Sequence, residues 1–324
     1  MAHRNTVKIG IVGMGHVGPH AASALINWGV ADELYLCDID EKKCRAERFD
    51  LLDSTAFAPR PVRIHDVGAD YEALAETDVI INAAGDVSQV AVNRDGELFG
   101  TTAIARTFVG RIAAAGFDGF WVNVSNPCDV VTRLVHDLSG LPANRVLGTG
   151  TSLDSARLRR AIATKTGVSI RSIDAYMLGE HGFSGLAAFS QVSIGGKPLS
   201  ELAAEHPEQF GFSAEEVERD GLNGGYDIYN FKHCTEYGVG AAAARITTAI
   251  VRGENAVLAA SVHLDGQYGQ SGFYISTPAV IGADGVEDIY ELSLTDDERR
   301  RFLGSCEKVQ HSYRLVCEAS TPAD

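Results

Sequence analysis

One turn near the start constrains the fold of this chain more than any other feature. The apolar run Val7-Lys8-Ile9-Gly10-Ile11-Val12 leads straight into Gly13-Met14-Gly15-His16-Val17-Gly18, and a helical pattern over residues 16–28 follows. A short run of β-branched and aliphatic residues, closed by glycine, reads as a buried strand. Glycines at the first, third and sixth positions permit a tight turn, an open approach to the backbone, and close packing of the helix on the strand. Strand, turn and helix in this order predict a parallel sheet with crossover helices.

The next apolar run, Glu33–Cys37, is followed by Asp38, 20 residues beyond Gly18. An acidic residue at that distance can accept hydrogen bonds from an adenosine ribose, while the helix N-terminus attracts a pyrophosphate. Its charge would repel a 2′-phosphate, so NAD is expected rather than NADP.

Further apolar runs at 62–65, 78–82 and 120–124 predict strands, with helices between them at 41–56, 96–115 and 129–138. We therefore expect a doubly wound parallel α/β sheet, a Rossmann NAD-binding domain, over residues 1–148. Beyond it the texture changes. A helix at 153–166, a hairpin-like run at 187–194 ending at Gly195-Gly196, a helix at 235–252, strands at 256–263 and 272–281, and a charged helix from Thr295 predict an α+β substrate domain over 149–324.

The chain carries 28 Lys and Arg against 43 Asp and Glu, a net charge of −15. Such a field repels phosphate backbones and argues against a nucleic-acid partner. An anionic substrate would need arginines placed locally. The six cysteines form no close pairs, which fits reduced thiols. No apolar run is long enough for a membrane span, and the N-terminus lacks a signal-peptide pattern, so a cytoplasmic enzyme is expected.

Four segments hold the chemistry. Gly179-Glu180-His181-Gly182 sets a histidine between glycines. Leu153-Asp154-Ser155-Ala156-Arg157 places Asp154 and Arg157 three apart, on one helix face. Ser125-Asn126-Pro127 follows a strand, and Arg94 follows a loop that begins at Ala84-Gly85. Reducing a ketone builds alkoxide charge, which calls for a proton donor and a positive neighbour. Histidine is the natural shuttle near neutral pH, and arginine grips a carboxylate with two parallel bonds.

In these motifs, their order and their spacing, the chain resembles the L-lactate/malate dehydrogenase family from Val7 to about Ser312, and is most similar to its L-2-hydroxyisocaproate dehydrogenases. The resemblance implies a hydride transfer between NAD and C2 of a 2-hydroxy acid. It implies that His181 donates and accepts the proton and that Asp154 orients it. Arg157 would hold the substrate carboxylate, Arg94 would polarise the carbonyl, and Asn126 would lie near carbonyl and nicotinamide. Thr149 and Thr235 match hydroxyl positions beside ring and substrate, and Ala84, Gly85, Asn126 and Thr149 join the glycine turn and Asp38 around the cofactor. No metal is implied. A homo-oligomer, dimer or tetramer, is.

Ser88 falls where the family selects its substrate, malate enzymes carrying arginine there and lactate enzymes glutamine. Ser88 brings neither charge nor bulk, and Val87, Val90 and Val92 surround it in sequence. An unpaired second carboxylate would be costly to desolvate there. A branched 2-oxo acid such as 2-oxoisocaproate is therefore expected, with pyruvate as the alternative and oxaloacetate third. Arg159 matches an arginine of the fructose 1,6-bisphosphate site in bacterial lactate dehydrogenases, but Asp174 stands where that site has histidine, so no such activation is expected. An NAD-dependent glycosidase or a non-catalytic NAD-binding protein would leave His181, Asp154, Arg157 and Arg94 unexplained.

Overall fold

The computed structural model describes residues 6–85 and 94–319. In the first half strands and helices alternate: β1 (Lys8–Val12), α1 (Val17–Asn27), β2 (Glu33–Cys37), α2 (Glu41–Ser54), β3 (Arg63–Gly68), β4 (Val79–Asn82), α3 (Arg94–Ala114), β5 (Phe120–Asn123), α4 (Cys128–Ser139) and β6 (Val146–Gly148). The second half opens with α5 (Ser152–Thr166) and continues through short strands β7 (Ile173–Asp174), β8 (Met177–Leu178), β9 (Leu186–Ala187), β10 (Ser193–Ile194) and β11 (Lys197–Pro198). Helices α6 (Leu199–Glu205), α7 (Pro207–Phe210), α8 (Ala214–Lys232) and α9 (Tyr237–Arg252) follow, then β12 (Ala256–Asp265), β13 (Ser271–Gly282), β14 (Gly285–Ile289) and α10 (Asp296–Ala319).

Six strands lie parallel in the order β3-β2-β1-β4-β5-β6. The order reverses beside β1, where β2 leaves on one side and β4 on the other. Past β6 the same sheet continues as antiparallel β12, β13 and β14, joined where Gly148 meets Ser261. The two halves of the sequence thus share one nine-stranded sheet.

Side-chain alternation sends each strand's apolar residues to two cores. Ile9, Ile11, Leu34, Leu36, Ile81 and Val122 pack under α1 and α9, whereas Val12, Ile80, Trp121 and Val146 pack under α3, α4 and α10. Burial on both faces explains why these strands read as continuous apolar runs. A third, smaller core joins Leu158 and Ile162 of α5 to Ile173, Phe210 and Val217.

Three elements depart from the sequence expectation. β6 is three residues long, too short for any periodicity to register. The run at 187–194 is not one strand: a 3-10 turn at Phe189–Gln191 interrupts it, and only Ser193–Ile194 pairs across Gly195-Gly196 with Lys197–Pro198. Helix α8 was hidden by Gly221, Gly224 and Gly225, which read as loop residues. Two of them pack closely on α5, because a Cβ on Gly224 would lie 3.1 Å from the Arg160 guanidinium and one on Gly225 3.3 Å from that of Arg157. Ser213 caps this helix, its hydroxyl accepting from the Glu216 N–H.

Candidate active site

Ligands of open parallel sheets bind beyond the carboxyl ends of the strands where the strand order reverses. Here the ends align in register: Cys37 beside Val12, Val12 beside Asn82, Asn82 beside Asn123, and Asn123 beside Gly148. The residues expected around a dinucleotide follow those five ends directly. They are Asp38, the turn Gly13–Gly18, Ala84 and Gly85, Asn126, and Thr149.

The turn has the shape the glycines imply. Gly13 has φ +94°, and a Cβ on it would lie 2.7 Å from the Ala83 and Ala84 backbone. A Cβ on Gly18 would lie 2.0 Å from the Gly13 carbonyl, so only glycine lets α1 start this close to β1. Gly15 faces open space, with nothing within 4 Å of a built Cβ, which leaves a bare cradle at the helix N-terminus. Met14 is buried beneath the turn and donates its N–H to Asp38 Oδ2 at 2.6 Å, while Asp38 Oδ1 accepts from the Asp40 N–H at 2.8 Å. Asp38 therefore braces the turn. Val17 begins α1, and His16 beside it contacts Glu236 at 2.8 Å. That contact brings the segment between α8 and α9, with half-buried Thr235, against the start of α1.

Two buried asparagines that the sequence reading passed over shape the loops. Asn82 Nδ2 donates to Asn123 Oδ1 at 2.8 Å, and Asn82 Oδ1 accepts from the Ala84 N–H at 3.2 Å. Asn123 Nδ2 donates to the Ser125 and Cys128 carbonyls and to Thr132 Oγ1, each at 3.1 Å. They hold the 83–85 turn and the Ser125-Asn126-Pro127 turn at fixed heights. Asn126 itself is exposed, and Thr149 is buried with its N–H on the Asn123 carbonyl at 2.8 Å.

His181 follows β8. Thr151 Oγ1 donates to the Met177 carbonyl at 2.6 Å, and the Met177 N–H donates to Ser155 Oγ at 2.9 Å. β8 is thereby pinned to α5, the helix that carries Asp154 and Arg157. Gly179 exchanges main-chain bonds with Ser276 of β13 at 3.0 and 3.2 Å, which fixes the loop from the other side. The outcome is a chain of three side chains. His181 Nδ1 meets Asp154 Oδ2 at 2.6 Å, and Arg157 Nη1 donates to Asp154 Oδ1 at 3.0 Å. Asp154 and Arg157 are nearly closed off, 6% and 8% exposed, while the His181 ring keeps 26% exposure.

The electrostatics follow. The Asp154 charge raises the His181 pKa to about 9 against the opposing effect of burial. Burial pushes Asp154 up, but His181 and Arg157 together bring it below the ordinary carboxylate value. Nδ1 holds its proton against Asp154, and Nε2 has no partner among the described residues. It is free to give or take a proton at the exposed edge.

Two carboxylates near the histidine were not anticipated. Asp129, second residue of α4 and 2% exposed, accepts the His181 backbone N–H at 3.0 Å. Burial pushes its pKa to about 6. Its position three residues after Asn126 is the only hint the sequence offered. On α3, burial raises the pKa of Glu97, and the His181 charge opposes that rise. Arg94 opens α3, but its side chain and all of Ser88 lie outside the described residues. Among the described residues no group of three or more His, Cys, Asp or Glu is placed to hold a metal ion, and no helix is long and apolar enough to cross a membrane.

Comparison with known proteins agrees with this geometry. Residues 7–148 match the NAD binding domain of lactate/malate dehydrogenase, and residues 151–318 match its alpha/beta C-terminal domain. An L-lactate dehydrogenase of Fusobacterium nucleatum is 42% identical over 96% of this chain and 99% of its own length. A minor L-lactate dehydrogenase of Enterococcus mundtii, solved with ligands bound, superimposes with TM-score 0.91 at 37% identity, covering 97% of this chain and 99% of that one. The lactate dehydrogenase of Cryptosporidium parvum, solved with lactic acid and nicotinamide adenine dinucleotide, gives TM-score 0.90 at 28% identity over 98% of this chain and 100% of that one. These names shift the weight from the hydroxyisocaproate expectation towards lactate.

Proposed function

Since the chain belongs to the lactate/malate dehydrogenase family, we propose that it is an NAD-dependent L-lactate dehydrogenase, interconverting pyruvate and L-lactate. The observation that carries this reading is the set of nearly full-length relatives named L-lactate dehydrogenase. The site supplies what the reaction needs. NADH, when bound in the glycine cradle, supplies a hydride to C2 of the 2-oxo acid. His181 Nε2 gives its proton to the carbonyl oxygen as the C–O bond loses double-bond character, while Nδ1–H stays on Asp154. The oxo acid, the hydride and this proton make the 2-hydroxy acid, and the histidine is reprotonated from solvent. A placed general acid of this kind contributes roughly 10²–10⁴-fold.

In this reading Arg157 pairs with the substrate carboxylate. Its Asp154 bond leaves most of the guanidinium donors for that purpose. Arg94 serves the carbonyl, and Ser88 borders the substrate side chain. A homo-oligomer in the cytoplasm belongs to the same reading.

A second reading, in which larger 2-oxo acids such as 2-oxoisocaproate are also turned over, is supported by Ser88, which brings neither charge nor bulk to the position where the family selects its substrate. NADH oxidation with pyruvate, 2-oxoisocaproate, phenylpyruvate and oxaloacetate separates the readings. Pyruvate is expected to give the highest kcat/KM, and a tenfold preference for 2-oxoisocaproate would replace the first reading by the second. No turnover of any 2-oxo acid would remove both.

A further inference from the structure

A carboxylate buried without a cationic side-chain partner is costly, and proteins seldom keep one where an apolar residue of similar size would serve. Asp129 is such a group. No lysine or arginine pairs with it among the described residues. Oδ2 accepts the His181 N–H at 3.0 Å, and Oδ1 accepts from Ser276 Oγ at 3.4 Å. Ser276 in turn accepts the Thr151 N–H at 3.1 Å and exchanges main-chain bonds with Gly179. Asp129 thus sits where α4, the histidine loop and the start of α5 meet.

We propose that Asp129 is a positioning residue for His181, fixing the main chain at the proton donor and adding a second carboxylate to the surroundings of its imidazolium. The proposal rests on His181 being the proton donor. Asp154 holds the ring and Asp129 holds the backbone, so the imidazole has little freedom to turn away from the substrate. Among the described residues the charges that act on His181 are Asp154 and Arg157 from α5, Asp129 from α4, and Glu97 from α3. Those acting on Asp129 are His181 and Glu180, with the buried thiols of Cys128 and Cys306 alongside. Of these only the imidazolium is positive, and its residue touches Asp129 through the main-chain N–H. Losing the Asp129 charge therefore destabilises protonated His181, and losing the acceptor frees its loop.

The test uses the full-length enzyme and separates charge from contact. Asp129→Asn keeps an oxygen for the His181 N–H but loses the charge. In NADH-linked reduction its kcat/KM should fall at lower pH than wild type, by on the order of one pH unit. Asp129→Ala loses both and should in addition lower kcat at the pH optimum, about tenfold or more, while NADH binding measured by fluorescence is unchanged. An alkaline limb in Asp129→Asn that coincides with wild type overturns the proposal. If neither variant folds, the wild-type enzyme still decides: the His181 ring nitrogen shifts should show a second inflection near pH 6, where Asp129 takes up its proton. A single-step titration overturns the proposal. His181→Asn is the control for the premise. Near-wild-type turnover in that variant sinks the role of His181 itself, a result distinct from an unshifted Asp129→Asn profile.

Discussion

His181 and Asp154 meet through Nδ1 and Oδ2 at 2.6 Å, and this contact decides the protonation state of the site. The Asp154 charge outweighs burial and carries the histidine pKa to about 9, so at neutral pH the ring is a loaded acid.

The pH dependence follows from that direction. With His181 as the proposed proton donor, reduction of a 2-oxo acid needs the imidazolium, so its kcat/KM should hold through neutral pH and fall as pH rises through about 9. Oxidation of the 2-hydroxy acid needs the neutral ring and should rise over the same interval. Because folding raises the pKa above its ordinary 6.5, the stabilising contribution of the pair is complete below 6.5 and is lost as pH climbs through about 9. Asp154→Asn should bring the kinetic limb back towards 6.5. A limb that stays near 9 in that variant would mean that another group sets it.

Arg157→Lys should raise KM for every 2-oxo acid. An ammonium is a point donor and cannot make two parallel bonds to a carboxylate while also bonding Asp154 Oδ1. Losing one charge-assisted bond in a closed site costs about 1.5–3 kcal/mol, which is roughly 10–100-fold in KM. Steady-state kinetics with pyruvate reads the change directly, and an unaltered KM would place the carboxylate elsewhere.

Asp38→Ala should both weaken NADH binding and narrow the preference for NAD over NADP. The structure adds the first effect, because the carboxylate holds the Met14 N–H at 2.6 Å and so braces the glycine turn. The second follows from removing a charge that would face a 2′-phosphate. The ratio of kcat/KM for the two cofactors is the measurement, and a constant ratio contradicts the placement of the ribose at Asp38.

Which parts of the protein were legible in the sequence depended on how local their causes are. The turn at Gly13–Gly18 and strand β2 are dictated by neighbours within a few residues, and both stand where the pattern put them. Asp154 and Arg157 are three apart on one helix, so their shared face was written in the spacing. The meeting of His181 with Asp154 was not, since 27 residues separate them and the contact depends on Thr151 and Ser155 gripping Met177. Resemblance to a family supplied that pairing; periodicity could not. Asp129 escaped because an acidic residue in the first turn of a helix looks like an ordinary dipole partner. Only the three-dimensional return of the 179–181 loop gives it a second task. Helix α8 escaped for the opposite reason: its glycines read locally as loop residues, while the close contact of Gly224 and Gly225 with α5 shows only in three dimensions.

Substrate choice offers the last test, at Ser88, which lies outside the described residues and is placed by sequence alone. If Ser88 borders the substrate side chain, the pocket has no positive group there for a second carboxylate, and oxaloacetate must leave one desolvated and unpaired. Ser88→Arg would supply that charge and fill space that a methyl or isobutyl group otherwise uses. A guanidinium–carboxylate pair sheltered from water is worth several kcal/mol of discrimination, and each 1.4 kcal/mol is tenfold. The ratio of kcat/KM for oxaloacetate over pyruvate, and over 2-oxoisocaproate, should therefore rise by at least about tenfold. NADH binding to the variant is measured alongside, so that a general loss of activity is not mistaken for a change of preference. If both ratios stand still while turnover persists, Ser88 does not border the substrate, and its lack of charge says nothing about which acid the enzyme reduces.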